Sequence, residues 1–156
     1  MPRRTSSFAV AGGVGVAVLS VLSACTASVE VAPGPDADAP PCQEVAGAWP
    51  VTVEGMEFTS TTPEAPSIAA WADGGDPAII ARCGVPVPGP TTIECIEVDG
   101  VDWLAESLDD GMRFTTYGRE VAVELLVPDA YAPEPLVLTA FAEVGAIAPR
   151  SGPGCT

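Results

Sequence analysis

The clearest alternation of apolar and polar positions runs from Thr92 to Leu104 (TIECIEVDGVDWL). Its period of two is typical of strands with one buried face. Asp99 and Gly100 interrupt the alternation near its middle, and an Asp-Gly pair in this position favours a two-residue hairpin turn. The pattern therefore predicts two antiparallel strands joined at Asp99-Gly100.

The predicted turn also fixes which side chains lie opposite one another. Ile96 faces Trp103 on one side of the hairpin, and Glu97 faces Asp102 on the other. Trp103 then points into the core, and the alternative interpretation is a platform on which a ligand stacks. Two adjacent carboxylates repel each other, so we expect a cation near Glu97 and Asp102.

Other segments extend or cover this hairpin. Four apolar or alternating runs are predicted as strands: Ser67–Ala72, Ala78–Cys83, Met112–Thr116 and Glu120–Val127. Two segments are predicted as helices, namely Pro41–Ala48, and Leu136–Val144 with Gly145 as its stop. Together they predict an α+β fold, a small disulfide-stapled antiparallel sheet of four to six strands with one or two short helices.

The first 24 residues are predicted to be a cleaved lipoprotein signal. Arg3 and Arg4 precede an apolar run from Phe8 to Leu22, which is short for a membrane span. The run ends in Leu-Ser-Ala-Cys25, which resembles a bacterial lipobox and implies that Cys25 becomes the lipidated N-terminus. The alternative is an ordinary secretory signal that is cut nearby.

Residues 25–41 are predicted to form a disordered tether, and residues 42–156 a single globular domain. The segment from Thr26 to Pro41 (TASVEVAPGPDADAPP) is rich in Ala, Pro and acidic residues and has no amphipathic period. A Pro-rich stretch of this kind extends by about 3.1 Å per residue. We therefore expect it to hold the domain a few nanometres from the membrane.

Four cysteines follow Cys25, and an even number in an exported chain predicts two disulfides. Spacing alone leaves three pairings open. We prefer Cys83 with Cys95, across a short Pro-rich loop, and Cys42 with Cys155, across the two ends of the domain. A metal or redox role is the alternative, but no Cys-x-x-Cys pair is present and the spacings suit no zinc site.

Charge and composition narrow the possible functions. Six basic residues against 21 acidic ones give a net charge of −15, which disfavours nucleic-acid binding because phosphate recognition requires cations. The sequence has no His and no Lys, so the usual general base, zinc ligand and Schiff-base amine are missing. We expect no cofactor and no metal site, and only carboxylate chemistry remains open to an enzyme.

A candidate polar site follows from the predicted hairpins. Glu97 and Asp102 lie on one strand pair, while Arg113, Tyr117 and Arg119 lie on or beside the next. Either arginine is a natural partner for the two acids, and guanidinium and carboxylate groups together suit a peptide or cell-wall fragment. The alternative is a surface ion cluster that contributes about 0–1 kcal/mol to stability.

Three motifs in this order resemble an actinobacterial exported lipoprotein family, the domain of unknown function 3515. They are WADGGDPAIIARCG at 71–84, CIEVDGVDW at 95–103 and RFTTYGR at 113–119. The resemblance covers the whole domain after the tether. It implies an envelope lipoprotein or secreted protein without an assigned activity, and it supplies no catalytic residue.

Two classes of function compete. The first, which we prefer, is a non-catalytic binding or scaffold module, lipid-anchored to the outer face of the cytoplasmic membrane, with an envelope protein or cell-wall fragment as partner. The second is a carboxylate-based hydrolase acting on cell-wall glycan, which requires two facing acids in a cleft. A purely structural role stands behind both.

Overall fold

The computed structural model describes residues 28–156, so the predicted signal of residues 1–24 and Cys25 lie outside the described residues. The strands are β1 Val29–Glu30, β2 Thr52–Val53, β3 Met56–Glu57, β4 Thr61–Thr62, β5 Ile68–Trp71, β6 Ile79–Val85, β7 Glu94–Val98, β8 Val101–Ser107, β9 Gly111–Thr116 and β10 Ala122–Pro128. The α-helices are α1 Pro40–Ala46 and α2 Ala142–Ile147, and 3-10 helices span Asp129–Tyr131 and Glu134–Phe141. None of the helices in this range is long and apolar enough to cross a membrane.

Six of the strands form one antiparallel sheet in the order β5-β6-β10-β9-β8-β7. Ile96 pairs with Trp103 and Glu97 with Asp102, so the register predicted from Asp99-Gly100 is confirmed. Two small pairs, antiparallel β2–β3 and parallel β1–β4, flank the sheet. The predicted α+β fold, an antiparallel sheet of four to six strands with one or two short helices, fits in outline, since the main sheet has six strands beside two short α-helices and two disulfides.

The core lies between one face of the sheet and the helices. Alternate strand residues point into it, and the side chains of Trp71, Trp103 and Phe114 are fully buried there, with Phe141 from the helical layer. Phe141 packs edge-on against Trp71, with 5.2 Å between ring centroids. Trp103 is therefore a core residue, and its alternative interpretation as an exposed stacking platform is wrong.

The C-terminal helical segment differs from the prediction at both ends. A 3-10 helix begins at Glu134, and α2 continues through Gly145 to Ile147 instead of stopping at Gly145. A Cβ atom at Gly145 would lie 2.7 Å from Cγ1 of Val101. Gly145 therefore allows close packing of helix on sheet, and it does not end the helix.

The predicted disordered tether is wrong from residue 28 onward. Val29 donates its backbone N–H to Ser60 O at 2.9 Å as β1 pairs with β4, and Val31 is buried. Asp36 donates its backbone N–H to Gly84 O, also at 2.9 Å. Backbone pairing thus holds residues 28–37, the N-terminal segment, against the domain.

Two glycines explain why this Pro-rich sequence is ordered. A Cβ atom on Gly34 would overlap the carbonyl group of Gly84, and a Cβ atom on Gly84 would overlap the backbone of Asp36. Gly84 also has a φ of +83°, which favours glycine. The two segments of the chain can approach closely because neither glycine carries a side chain where they cross.

The predicted disulfide pairing is wrong, although all four cysteines are bonded. Cys42 pairs with Cys83, and Cys95 pairs with Cys155. Cys83 lies on β6 and Cys95 on β7, which are separated by three intervening strands. At about 4.8 Å between neighbouring strands, these cysteines lie too far apart for the 5–6 Å Cα separation that a disulfide needs.

Candidate binding groove on the open sheet face

The sheet has a second face, directed away from the helices, which we call the open face. Strand register aligns Arg82 with Glu124 and Glu124 with Thr115 across it, followed by Leu104 on β8. Arg82 also donates from Nη1 to Ala32 O at 3.1 Å, so the N-terminal segment meets this face at β6. The sheet thus presents a row of charged and apolar side chains beside that segment.

An ion cluster occupies the middle of the open face. Glu124 is buried and accepts a hydrogen bond from Arg82 Nε at 2.6 Å. Its other carboxylate oxygen lies 3.4 Å from Arg113 Nε, an ion-pair distance without hydrogen-bond geometry. Arg113 Nη1 donates to Glu106 at 3.0 Å. The charges of two arginines and two glutamates therefore cancel within the cluster. The buried Nε–H of Arg113 has no hydrogen-bond acceptor among the described residues.

Beside this cluster lies a cavity of about 270 Å³. Leu104 and Thr115 form part of its floor, and the exposed side chains of Val87 and Ile93 form part of its wall. A neighbouring cavity of about 340 Å³ shares Ile93 and Leu104 and extends to Tyr117 and the Cys95–Cys155 disulfide. We call the two cavities together the groove. The first cavity is mainly apolar and contains the charged cluster, and the second is mainly polar.

The structure brings two of the five predicted site residues together. Arg113 and Tyr117 both line the groove, one in each cavity. Glu97 is exposed, and its carboxylate accepts the backbone N–H of Gly100 at 3.0 Å within the hairpin turn. Asp102 is buried, and neither predicted arginine is its partner, since its ion pair is with Arg150 at 2.9 Å.

Arg119, the fifth predicted residue, is buried beside α2. Its Nη1 donates to the carbonyl oxygens of Ala146 at 3.3 Å and Ala148 at 3.1 Å, at the C-terminal end of that helix. Burial lowers the pKa of Arg119 and nearby Arg150 lowers it further, whereas Asp102 raises it. A cation that satisfies terminal helix carbonyls stabilises the fold and is not available to a ligand.

Sequence reasoning missed Arg82, Glu106 and Glu124. Each directly follows a core residue of its strand, namely Ala81, Ala105 or Val123, so its own side chain points to the opposite face. This alternation is visible in the sequence, but it does not show that Arg82 and Glu124 lie side by side, because β6 and β10 are about 40 residues apart in the chain. Among residues 28–156 no three Cys, Asp or Glu side chains converge in a way that could hold a metal ion.

Comparison with known proteins gives a family and no activity. The family model described as "Protein of unknown function (DUF3515)" matches residues 6–148. No curated protein matches the chain, and no solved structure matches it.

Proposed function

The chain belongs to the DUF3515 family of proteins of unknown function, and on that premise we propose that it is an exported, lipid-anchored binding module of the actinobacterial cell envelope. In this proposal Cys25 carries the lipid and holds the domain at the outer face of the cytoplasmic membrane. The groove on the open face binds an extended peptide segment, either from an envelope protein or from a cell-wall fragment. The negative net charge argues against nucleic acid as the partner.

Two observations support export. The family match begins at residue 6, so it includes the apolar run and the lipobox-like ending at Cys25. The domain also carries two disulfides, and such bonds persist in oxidising compartments outside the cytoplasm. Lipid attachment at Cys25 requires both export and this N-terminal pattern.

The groove is the observation that carries the binding proposal. Its first cavity has a mainly apolar wall, exposed at Val87 and Ile93, beside the guanidinium group of Arg113, and its second, mainly polar cavity adds the phenol of Tyr117. Binding sites typically join a largely apolar lining to a few fixed polar groups. A peptide offers both kinds of contact, and its carbonyl groups could accept the free Nε–H of Arg113 after a small displacement of Glu124.

The same geometry favours binding over hydrolysis of glycan. Glu106 and Glu124 are the acids at the groove, and both contact Arg113. A glycosidase needs two acids that face the scissile bond, whereas here both carboxylates are engaged by arginines of the ion cluster. We therefore propose that the domain is not catalytic.

The anchoring part is tested by replacing Cys25. The Cys25→Ser variant should lose incorporation of labelled fatty acid and move from the membrane fraction to the soluble extracellular fraction. A Cys25→Ser variant that stays with the membrane would contradict lipid anchoring. The unchanged domain and its disulfides provide the folding control.

The binding part is tested by photo-crosslinking in cells. A photoreactive phenylalanine at position 87 or 117 lies in the groove, whereas one at position 136 lies on an exposed residue of the helical layer. We expect the same attached species from both groove positions, none from position 136, and less capture when Arg113→Ala is added. Equal capture from all three positions, or none, would overturn the groove as a binding site.

A further inference from the structure

A separate cavity lies where the N-terminal segment joins the sheet. Its volume is about 340 Å³, and it shares no lining residue with the groove. Val29, Ile80 and Leu126 contribute to its largely apolar lining, with Met112 from β9 and Leu108 from the turn between β8 and β9. The charged residue in the lining is Asp110, which is exposed and so belongs to the mouth. We call this cavity the N-terminal pocket.

We infer that the N-terminal pocket takes an acyl chain of the lipid on Cys25. This inference rests on the lipid anchor of the proposed function. The covalent chain supplies the geometry, because only four peptide units separate Cys25 from Val29. At a maximum of about 3.6 Å per residue, the lipidated residue lies within about 14 Å of the pocket wall.

Val29 is fixed to the domain, so the connection between Cys25 and the pocket cannot become longer. Its backbone N–H is bonded to Ser60 O, and β1 pairs with β4 in parallel register. Val31, two residues further along, is buried, and Gly34 packs against Gly84. The domain is therefore held beside the membrane surface and not at the end of a tether of several nanometres.

The free-energy balance favours occupation. An acyl chain that moves from the bilayer into the pocket exchanges one apolar environment for another, so the chain itself gains little. The pocket lining, however, loses its contact with water, and burial of that apolar surface drives the transfer. Attachment through a short connection keeps the chain at a high effective concentration near the mouth.

The test uses the full-length protein made in cells supplied with a fatty acid that carries a terminal diazirine. After irradiation, the protein is reduced and alkylated, so that the Cys42–Cys83 bond no longer joins peptides, and is digested with trypsin, which cuts after Arg82, Arg113, Arg119 and Arg150 in the domain. We expect the N-terminal lipopeptide to be crosslinked to peptide 83–113, which contains Leu108 and Met112, or to peptide 120–150, which contains Leu126.

A pocket-filling variant and a matched control sharpen the test. Ala78→Phe adds a ring at the pocket lining, whereas Ala140→Phe adds the same ring at an exposed position of the helical layer. We expect Ala78→Phe to reduce these crosslinks at least fivefold while membrane association is retained, and Ala140→Phe to leave them unchanged. If Ala78→Phe fails to fold, the crosslink positions in the unaltered protein decide the question.

The contrary outcomes are distinguishable. A lipid label on Cys25 with crosslinks only to bulk lipid would overturn the pocket assignment and leave the anchor intact. Phospholipid adducts on the pocket peptides, not joined to the N-terminal peptide, would replace the proposed occupant by a membrane lipid. Crosslinked protein dimers would show that the acyl chain enters the pocket of a neighbouring molecule and not that of its own. Absence of any label on Cys25 would overturn the pocket assignment together with the proposed anchor.

Discussion

Arg150 donates a hydrogen bond from Nη1 to Oδ2 of Asp102 at 2.9 Å, and this ion pair ties the C-terminal segment to β8. The second oxygen of Asp102 accepts the backbone N–H of Cys155 at 3.2 Å. Arg150 also donates to Gly100 O at 3.0 Å. The buried acid opposite Glu97 thus serves to fix the residues around the Cys95–Cys155 disulfide.

Replacement of Asp102 should therefore destabilise the fold. In the Asp102→Ala variant, Arg150 and the N–H of Cys155 lose their acceptor, and we expect a loss of about 1–3 kcal/mol in the free energy of unfolding. Urea denaturation followed by Trp fluorescence measures it. Glu94→Ala on the exposed edge of β7 is the control and should change stability by less than about 0.5 kcal/mol. Equal stability of both variants would contradict the structural role of Asp102.

Substitution of Arg119 should reduce stability, whereas substitution of Arg113 should mainly reduce binding. Arg119→Ala removes a buried donor from two terminal carbonyls of α2, so we expect it to cost about 1–3 kcal/mol of stability. Arg113→Ala acts at a partly exposed ion pair and should cost about 0–1 kcal/mol, while it weakens capture at the groove. Thermal unfolding and crosslinking yield measure the two effects. The reverse ranking of stabilities would show that Arg119 does not hold the helix end.

The docking of the N-terminal segment should depend on Gly34. Gly34→Ala places a methyl group on the carbonyl of Gly84 and should destabilise the protein by about 1–3 kcal/mol. Gly89→Ala, where an added Cβ meets nothing within 4 Å, is the matched control and should be neutral. Hydrogen exchange at the Asp36 amide, which is bonded to Gly84 O, should speed up only in Gly34→Ala. Slow exchange there in both variants would contradict the close crossing.

The disulfide pairing can be read from peptide masses. Without reduction, trypsin should leave three peptides joined, ending at Arg82, at Arg113 and at residue 156, because Cys83 and Cys95 share the middle one. Further cleavage after Glu94 should then separate Cys42–Cys83 from Cys95–Cys155. A free middle peptide with an internal Cys83–Cys95 bond would contradict the structure. Removal of either bond should cost about 4 kcal/mol from loop-closure entropy alone.

Tyr131 should titrate above its usual range. Its hydroxyl donates to Pro77 O at 2.9 Å, and burial first, then Asp76, Asp73 and Glu54, raise its pKa above 10.0. The protonated phenol is favoured in the folded state, so its contribution to stability is complete below pH 10 and is lost as pH rises through the raised pKa. The absorbance titration of Tyr117→Phe, which leaves one tyrosine, measures it. A midpoint at or below pH 10 would contradict this environment.

Local patterns predicted much of the sheet. The Asp99-Gly100 turn and the flanking alternation set the β7–β8 register, because a two-residue turn leaves one pairing that buries the apolar face. The same alternation placed Trp103 in the core. Arg113 and Tyr117 were assigned to a polar site because they lie on or beside the hairpin that follows Glu97 and Asp102, and both line the groove.

Tertiary structure decided what depends on strand order. The sequence does not say that β6 lies next to β10, and this neighbour relation brings Arg82 to Glu124 and separates Cys83 from Cys95. Order in the N-terminal segment likewise depends on Gly34 meeting Gly84, two residues 50 positions apart. By itself the sequence determined local periodicity, turn chemistry, charge and the cysteine count. Packing decided which residues far apart in the chain become neighbours, because burial of apolar surface stabilises a contact whatever the sequence separation of its residues.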